Sequence, residues 1–413
     1  MEKLCGKRII TAEENIQKGW EFVFDKLFSK KTKLIYDYRT TEDEDGAFCH
    51  LPTRDEILRS YPNPCGWFTG MEDGDINGCI MMEAVIKRYE HTHDESLKKY
   101  INDLYEGLMA NATVSSVKGF LARARHPEDG VTHYINSSRD QYTHWIDSIT
   151  RFYFSKHSSE SQREDIKRVI VEFAEKAERD VTEENNYSLL DEEGSPALVC
   201  IMYGDKVWGH ESCRLGMFYL SAYVITGNEH WLSMYHSIRD WGIDKAEQVN
   251  LDYDYAGFAL MQMQISLRFL YDYETDTAYK QRYLAILKKV ANRMEVFLPD
   301  TKEFIKDFTL PTTVVSWRDV SGEFLFEDSP TASGKRVVRP NIWFTTVGQG
   351  WRKLRNAAES VIGQMLCPNY NISQEVVGDF LEIITKISFE KPCGYIPVSY
   401  CFAWWLLKEA GRV

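Results

Sequence analysis

The sequence lacks any run of about 18 apolar residues, the length that a membrane-spanning helix requires. Its first residues also lack the apolar core of a signal peptide. We therefore expect no membrane span. We expect the chain as written to be cytoplasmic, or periplasmic if a leader has been removed.

The chain also has no excess of basic residues. Its 49 lysines and arginines are dispersed and are outnumbered by 62 aspartates and glutamates, which gives a net charge of −13. Such a field repels the phosphates of nucleic acid, so we exclude nucleic acid as a partner.

Metal-binding and common catalytic motifs are absent as well. The nine cysteines include no Cys-x-x-Cys pair, and most of them adjoin apolar residues. We therefore expect free thiols and no bound metal or other cofactor. No Gly-x-Ser-x-Gly, His-Glu-x-x-His or Walker sequence occurs, which argues against a serine hydrolase, a zinc protease and a nucleotidase.

Helical periodicity dominates what is present. The spacing of apolar residues predicts a short helix at Thr53–Ser60 and about twelve longer ones. The longer helices are predicted at Thr11–Ser29, Ile76–Tyr89, Asp94–Ala112, Arg139–Lys156, Ser159–Asp180, Glu211–Thr226, Glu229–Val249, Gly257–Tyr273, Thr275–Phe297, Asn341–Leu366, Ser373–Phe389 and Pro397–Glu409. Short turns join some neighbours and long loops join others, as in stacked helical hairpins.

Six such hairpins predict an all-α fold, an (α/α)6 toroid. No Pro- or Ser-rich linker divides the chain, so we expect one domain over residues 1–413. Three long loops are expected to line one end of the toroid: Thr113–Ser138, Val181–His210 and Leu298–Pro340. Two β-rich stretches, Lys33–Tyr38 and Thr312–Trp317, predict a local strand pair at the rim.

Arginines and histidines crowd the loop before the helix that begins near Arg139. A loop of this composition that ends at a helix N-terminus is suited to hold a polar, anionic substrate. The substrate-binding residues expected here are Arg123, Arg125, His133, Tyr134, Arg139, Gln141 and Tyr142.

The helix itself carries a polar face. Asp140, His144, Asp147 and Arg151 share that face because their spacing follows the helical period. A solvated charged face would give the same pattern. Asp140 lies at the helix N-terminus, where the helix dipole lowers the pKa of a carboxylate. It therefore suits the role of base or nucleophile better than that of acid.

Three carboxylates, Glu72, Asp73 and Asp75, precede another apolar helix. Three carboxylates are more than are needed to cap one helix, although capping alone would explain part of the pattern. Trp67 and Phe68 lie beside them, and dehydration by such rings raises the pKa of a carboxyl group, as a general acid requires. Glu72 and Asp73 are therefore the candidates for the acid.

Two further helix entrances are polar. His210, Glu211 and Arg214 lie together at one of them, where local hydrogen bonding alone would also explain them. Asp252 and Asp254 precede the other, where they cap the helix or offer two ligands to calcium, with no third ligand evident.

At these residues the chain resembles bacterial six-hairpin glycosidase-like proteins of the (α/α)6 class. The resemblance is carried by Gly70–Gly78 and by the pattern of residues from Gly119 to Gln141. The wider superfamily includes unsaturated uronyl hydrolases, which place acidic residues at the entrances of inner helices. Asp140 is in a similar context and Asp73 in a less similar one. The full uronyl hydrolase pattern is absent, so the resemblance does not imply their exact chemistry.

We therefore predict a glycoside hydrolase that acts on an oligosaccharide, with uronic acid among the sugars considered. Asp140 is the expected base, and Asp73 or Glu72 the expected acid. Paired arginine donors would bind a sugar carboxylate. The other predicted catalytic residues are His144, His210 and Glu211, the other predicted binding residues are Trp67, Trp208 and Arg214, and the predicted walls of the cleft are Arg318 and Trp343.

Two alternatives stay open. A polysaccharide lyase would remove a proton from a uronate with a tyrosine or histidine, for which Tyr134, Tyr142, His133, His144 and His210 are available. A non-catalytic carbohydrate-binding protein would hold an oligosaccharide without cleaving it. The sequence does not set the oligomeric state.

Overall fold

A computed structural model describes residues 10–320, 323–325, 338–340 and 346–413. The helices of these ranges are α1 Ala12–Phe22, which continues into a π-helical turn at Val23–Leu27, α2 Arg54–Leu58, α3 Gly74–Thr92, α4 Leu97–Thr113, α5 Arg139–Phe154, α6 Glu160–Asp180, α7 Arg214–Thr226, α8 Glu229–Glu247, α9 Gly257–Tyr273, α10 Thr277–Met294, α11 Phe297–Phe304, α12 Thr346–Leu366, α13 Gln374–Lys386 and α14 Ile396–Glu409. The strands are β1 Ser188–Leu190, β2 Pro196–Ile201, β3 Glu323–Leu325 and β4 Val338–Pro340.

Six helices form a closed inner ring. In chain order α3, α5, α7, α9, α12 and α14 each contact the next, and α14 returns to contact α3. The remaining long helices α1, α4, α6, α8, α10 and α13 pack outside this ring. The predicted all-α (α/α)6 toroid is therefore confirmed.

The two layers differ in the sequence of their helices. Every residue from Ile396 to Leu407 in the inner helix α14 is buried, because that helix is covered on all sides. The outer helix α6 instead buries a stripe that includes Ile166, Val169, Ile170 and Phe173 and exposes the opposite face. The burial pattern of each helix therefore follows from whether the helix lies inside or outside the ring.

Short local signals set where the helices begin and end. Thr11 and Glu14 form a capping box at the start of α1. Gly227 ends α7 with φ of 69°, in the left-handed region that glycine favours. The turn at Gly227 joins the inner helix α7 to the outer helix α8, and this alternation of inner and outer helices makes the inner helices begin at the same end of the ring.

The predicted strand pair is wrong. Lys33–Tyr38 does not form a ladder with Thr312–Trp317; Val314 donates one backbone hydrogen bond to Arg39 at 3.0 Å. Tyr38 instead bridges to Gly394, just before α14. The structure has antiparallel pairs in other places, β1 with β2 and β3 with β4, inside two of the predicted long loops.

The eight cysteines in the described part of the chain are free thiols, and all but Cys49 are buried. Cys5 lies outside the described residues. None of the described helices combines the length and the apolar character needed to cross a membrane.

Candidate functional site

A cavity of about 680 Å³ opens where the inner helices begin. Its walls come from the entrances of α3, α5, α7 and α9 and from the first half of α12. This volume lies within the range of small-molecule binding sites.

At the entrance of α3, Glu72 and Asp73 line the cavity. Their backbone amides donate to the carboxylate of Asp37 at 2.8 and 3.2 Å, so Asp37 holds the two residues that precede this helix from a distant part of the chain. Burial and the negative charges of Asp73 and Glu72 raise the pKa of Asp37. Arg123 faces both acids, with Nη2 at 3.7 Å from Glu72 and 3.6 Å from Asp73.

Trp67 and Phe68 form the apolar wall beside these acids. Phe68 has φ of 66°, which is rare for a bulky residue. Its carbonyl accepts from the hydroxyl of Tyr38, and its amide donates to Glu72 at 3.0 Å. These bonds hold the Phe68 backbone, and with it the ring, against the cavity.

At the entrance of α5, Ser138 caps the helix and Asp140 lines the cavity. Arg214 donates to Asp140 and, through its other nitrogen, to Gln262 at 2.9 Å. Burial alone would raise the pKa of Asp140, but the guanidinium groups of Arg214 and Arg139 lower it below the ordinary value. Asp140 is therefore held as a carboxylate, and a third of its side chain is exposed.

At the entrance of α7, His210 and Glu211 line the cavity. Glu211 accepts from Arg139 and from the amide of Trp208, the latter at 3.3 Å. Burial lowers the pKa of His210 to about 4, so the imidazole is neutral near pH 7. Trp208 is half exposed outside the cavity lining.

The helices α12 and α14 supply residues that the sequence analysis missed. Arg355 on α12 donates to Glu359 at 2.7 Å and to the hydroxyl of Tyr395, which precedes α14. Tyr395 in turn donates to Asp73 Oδ2 at 3.3 Å. Burial raises the pKa of Glu359. The i, i+4 spacing of Arg355 and Glu359 was the one available signal, and it is equally typical of a surface pair.

Several predicted binding residues lie away from the cavity. Arg125 donates to Asn111 and to the carbonyls of Gly130, Thr32 and Gly107, so it braces the loop. This role as a brace replaces the predicted role in substrate binding.

Three rings are likewise placed elsewhere. Tyr142 is buried against Phe173, and its hydroxyl donates to Gly119 at 2.9 Å. Tyr134 donates to the carbonyl of Tyr61 at 2.7 Å, and His133 pairs with Glu192 at 3.0 Å. Their polar atoms are engaged within the protein, so the structure does not bring them to the cavity.

His144, which was predicted to take part in catalysis, lies beneath the cavity. It is buried one turn below Asp140 and contributes to a smaller cavity of about 190 Å³ at the opposite end of the ring. Burial lowers its pKa to about 3. Asp147 and Arg151 continue the same face into that second cavity. These four residues do share one face of α5, but that face extends along the ring axis, so Asp140 lines one cavity and the other three residues line the second.

The remaining candidates from the sequence that the structure describes do not line the cavity. Asp75 is buried and accepts from Asn111 at 2.8 Å. Arg318 donates to the carbonyl of His50 at 2.7 Å and lies over the ring of Trp317. Trp343 lies outside the described residues.

Arginine and carboxylate groups are paired throughout the lining. The pairs are Arg123 with Glu72 and Asp73, Arg139 with Glu211, Arg214 with Asp140 and Arg355 with Glu359. Arg352 differs because half of it is exposed and its contact with Asp254 is 3.9 Å. The fixed charges of the cavity therefore largely neutralise one another.

No protein-family model matches the chain, and no curated protein matches it. Among solved structures it is similar to a sugar epimerase from a ruminal bacterium, with 10% identity, a TM-score of 0.48 and coverage of 94% of this chain and 98% of that chain. It is also similar to the GH76A alpha-1,6-mannanase from Salegentibacter sp. HEL1_6, with 12% identity, a TM-score of 0.45 and coverage of 96% and 99%. An inactive variant of that mannanase in complex with alpha-1,6-mannotriose matches with 12% identity, a TM-score of 0.46 and coverage of 96% and 98%. Similarity at this level carries no argument about function.

Proposed function

We propose that the chain is a glycoside hydrolase that binds an oligosaccharide in the cavity at the entrances of the inner helices. The observation that carries this proposal is the presence of carboxylates from two neighbouring inner-helix entrances, Asp140 and Asp73, in one cavity and in different surroundings. Glycoside hydrolysis uses such a pair, one group as acid and the other as base or nucleophile.

Asp140 is the base or nucleophile of the proposed mechanism. Its contact with Arg214 lowers its pKa against the opposing effect of burial, so it stays ionised. A third of the side chain is exposed, which leaves it accessible to a water molecule or an anomeric carbon.

Asp73 is the proposed acid. Its side chain is 18% exposed, whereas that of Glu359, whose pKa is raised by burial, is only 1% exposed and therefore far less accessible to a leaving oxygen. Tyr395 and Gln141 donate to opposite oxygens of Asp73 at 3.3 Å each, which fixes the plane of its carboxyl group. A fixed orientation keeps this carboxyl group positioned toward a leaving oxygen in the cavity, as general acid catalysis requires.

The proposed substrates include oligosaccharides that carry a uronic acid. Arg123 and Arg139 already face carboxylates of the protein, so neither offers an uncompensated charge. Arg352 is the most exposed of the lining arginines, and we assign the sugar carboxylate to it. Of the residues on which the lyase alternative depended, only His210 lines the cavity, so we do not put that alternative forward.

The test is the variant Asp140→Asn, assayed with a panel of neutral and uronate-containing oligosaccharides by mass and by release of reducing ends. We expect the variant to fold and to lose about 10²–10⁴-fold in turnover. Asp147→Asn is the matched control, because it changes the same residue type on the same helix at the other end of the ring, and it should retain turnover.

A folded Asp140→Asn variant with normal turnover would contradict the assignment. Products with the ultraviolet absorbance of a conjugated alkene would indicate a lyase. Binding without any new reducing ends by the wild type would indicate a carbohydrate-binding protein.

A further inference from the structure

Four rings form a continuous group that leads out of the cavity on the side of α7 and α9. His210 lines the cavity and packs against Tyr255, with ring centroids 4.8 Å apart. Tyr255 packs against Tyr253 at 4.9 Å, and Tyr253 against Trp208 at 5.4 Å. Trp208 and Tyr253 are each half exposed. The group therefore runs from the proposed site to open surface.

The backbone beneath Trp208 is firmly held. Lys245 on α8 donates to the carbonyls of Gly204, Asp205 and Val207 at 2.7–3.0 Å, so one ammonium group clamps the preceding loop. On the other side, the amide of Trp208 donates to Glu211. The exposed ring consequently stands on a rigid support and needs little ordering when a ligand binds.

The loop also packs closely on α8 at the next residue. A Cβ atom at Gly209 would lie 2.6 Å from the carbonyl of Lys245, so glycine permits this close approach. Trp208 does not stand alone, because Tyr253 lies beside it and is also half exposed, and a group of exposed rings at the mouth of a cavity is typical of an interaction site.

We propose that Trp208 and Tyr253 form a binding surface for sugar rings outside the cavity, so that the preferred substrate is an oligosaccharide longer than the part the cavity encloses. This inference rests on the proposed function. The occupant is the continuing part of the same sugar chain, because the ring group is continuous with the cavity through His210. Aromatic faces pack on the apolar face of a pyranose, and the exposed Asp252 and Asp254 beside Tyr253 offer acceptors to its hydroxyls.

The experiment measures the affinity of linear oligosaccharides of two and six units, in neutral and uronate-containing series, by calorimetry. It uses full-length protein with Asp140→Asn to prevent turnover. We expect six units to bind more tightly than two. Trp208→Ala should reduce the ratio of the two affinities by about three- to tenfold, the size of one aromatic contact.

Phe154→Ala is the matched control, since Phe154 is a comparably exposed ring at the C-terminal end of α5. It should leave the affinity ratio unchanged. Tyr253→Ala should lower the ratio as Trp208→Ala does, and circular dichroism checks that each variant is folded.

An affinity ratio unchanged by Trp208→Ala and Tyr253→Ala would overturn the inference, as would a wild type that binds two and six units equally or binds none of the probes. Hydrolysis is measured separately with the wild type. Hydrolysis without a length preference would leave the proposed function standing and reject the ring surface. A length preference without hydrolysis would support the ring surface and reject the proposed function.

Discussion

Arg123 and Arg125, two positions apart, end in different parts of the molecule. Arg123 contacts the acids at the entrance of α3, whereas Arg125 is surrounded by backbone carbonyls of its own loop and of two other segments. The sequence predicts the same role for both. Their different positions cannot be read from it, because the distinction depends on which distant carbonyls reach each guanidinium.

The hydroxyl of Tyr395 offers a direct test of how Asp73 is oriented. Burial raises the pKa of Tyr395 well above its ordinary value, so the hydroxyl keeps its proton and remains a donor to Asp73. We expect Tyr395→Phe to fold and to reduce kcat about tenfold, as loss of one hydrogen bond of about 1.4 kcal/mol would. The measurement is kcat on any oligosaccharide that the wild type cleaves.

Tyr400→Phe is the control, since Tyr400 is the same residue type five positions further along, within α14. Its hydroxyl donates to the carbonyl of Leu354 at 2.8 Å and does not face the cavity. This variant should lose some stability and keep kcat. Equal effects of the two substitutions on kcat would show that the Tyr395 hydroxyl has no special part in turnover.

The buried side chain of His144 leads to a second prediction, which concerns the pH dependence of stability. Burial lowers its pKa to about 3, from an ordinary value of 6.5, with Asp140, Arg214 and Arg355 as the nearby charges. Between these values the unfolded chain binds a proton at this residue and the folded chain does not. Its neutral form therefore stabilises the fold fully above pH 6.5, and this stability is lost as the pH falls.

We expect the unfolding free energy of the wild type, relative to His144→Gln, to fall by about 1.4 kcal/mol per pH unit between pH 6 and 4. Urea unfolding of both proteins at several pH values measures this difference. His236→Gln, at an exposed histidine of α8, is the control and should show no such trend. A pH-independent difference for His144→Gln would contradict the prediction.

At the scale of elements, periodicity and caps predicted most helices because their causes are local. Ser138 begins α5 and Gly227 ends α7 through contacts within a few residues. The hairpin β1–β2 was missed since its strands are three and six residues long and carry no regular alternation. The pairing of Lys33–Tyr38 was predicted wrongly because its cause is not local: Tyr38 bridges to Gly394, which is more than 350 positions away.

Asn15 tests how the outer helices α1 and α13 are joined. Its amide donates to the carbonyls of Ile384 and Ile387, at 2.7 Å each, and accepts from the amide of Phe389 at 3.0 Å. Asn15→Ala leaves these buried groups without their partner. We expect a loss of about 2–4 kcal/mol in the free energy of unfolding, measured with urea.

Gln17→Ala is the matched comparison on the same helix. Its side chain bonds Glu21 in an exposed position. This substitution should change stability by less than about 0.5 kcal/mol. A comparable effect of both substitutions would mean that Asn15 does not join the two helices.

At the scale of the whole molecule, the number and spacing of helices were sufficient to predict the toroid. They also placed Asp73, Asp140 and Glu211 at helix entrances, where the structure brings all three to one cavity. Arg355 and Tyr395 were not predictable in the same way. Arg355 lines the cavity from α12, and Tyr395 reaches Asp73 because α12 and α14 close the ring against α3, a closure that leaves no pattern in the local sequence.

The bond between Tyr395 and Asp73 joins residues 322 positions apart. At about 5–20 residues per second, a ribosome takes roughly 16–64 s to make the chain between them. Until Tyr395 has been made, the ring around Asp73 and Asp140 lacks the side that α14 supplies. The proposed catalytic arrangement is therefore completed only when α14 emerges, and a chain cut short before α14 has the carboxylates without the contact that orients Asp73.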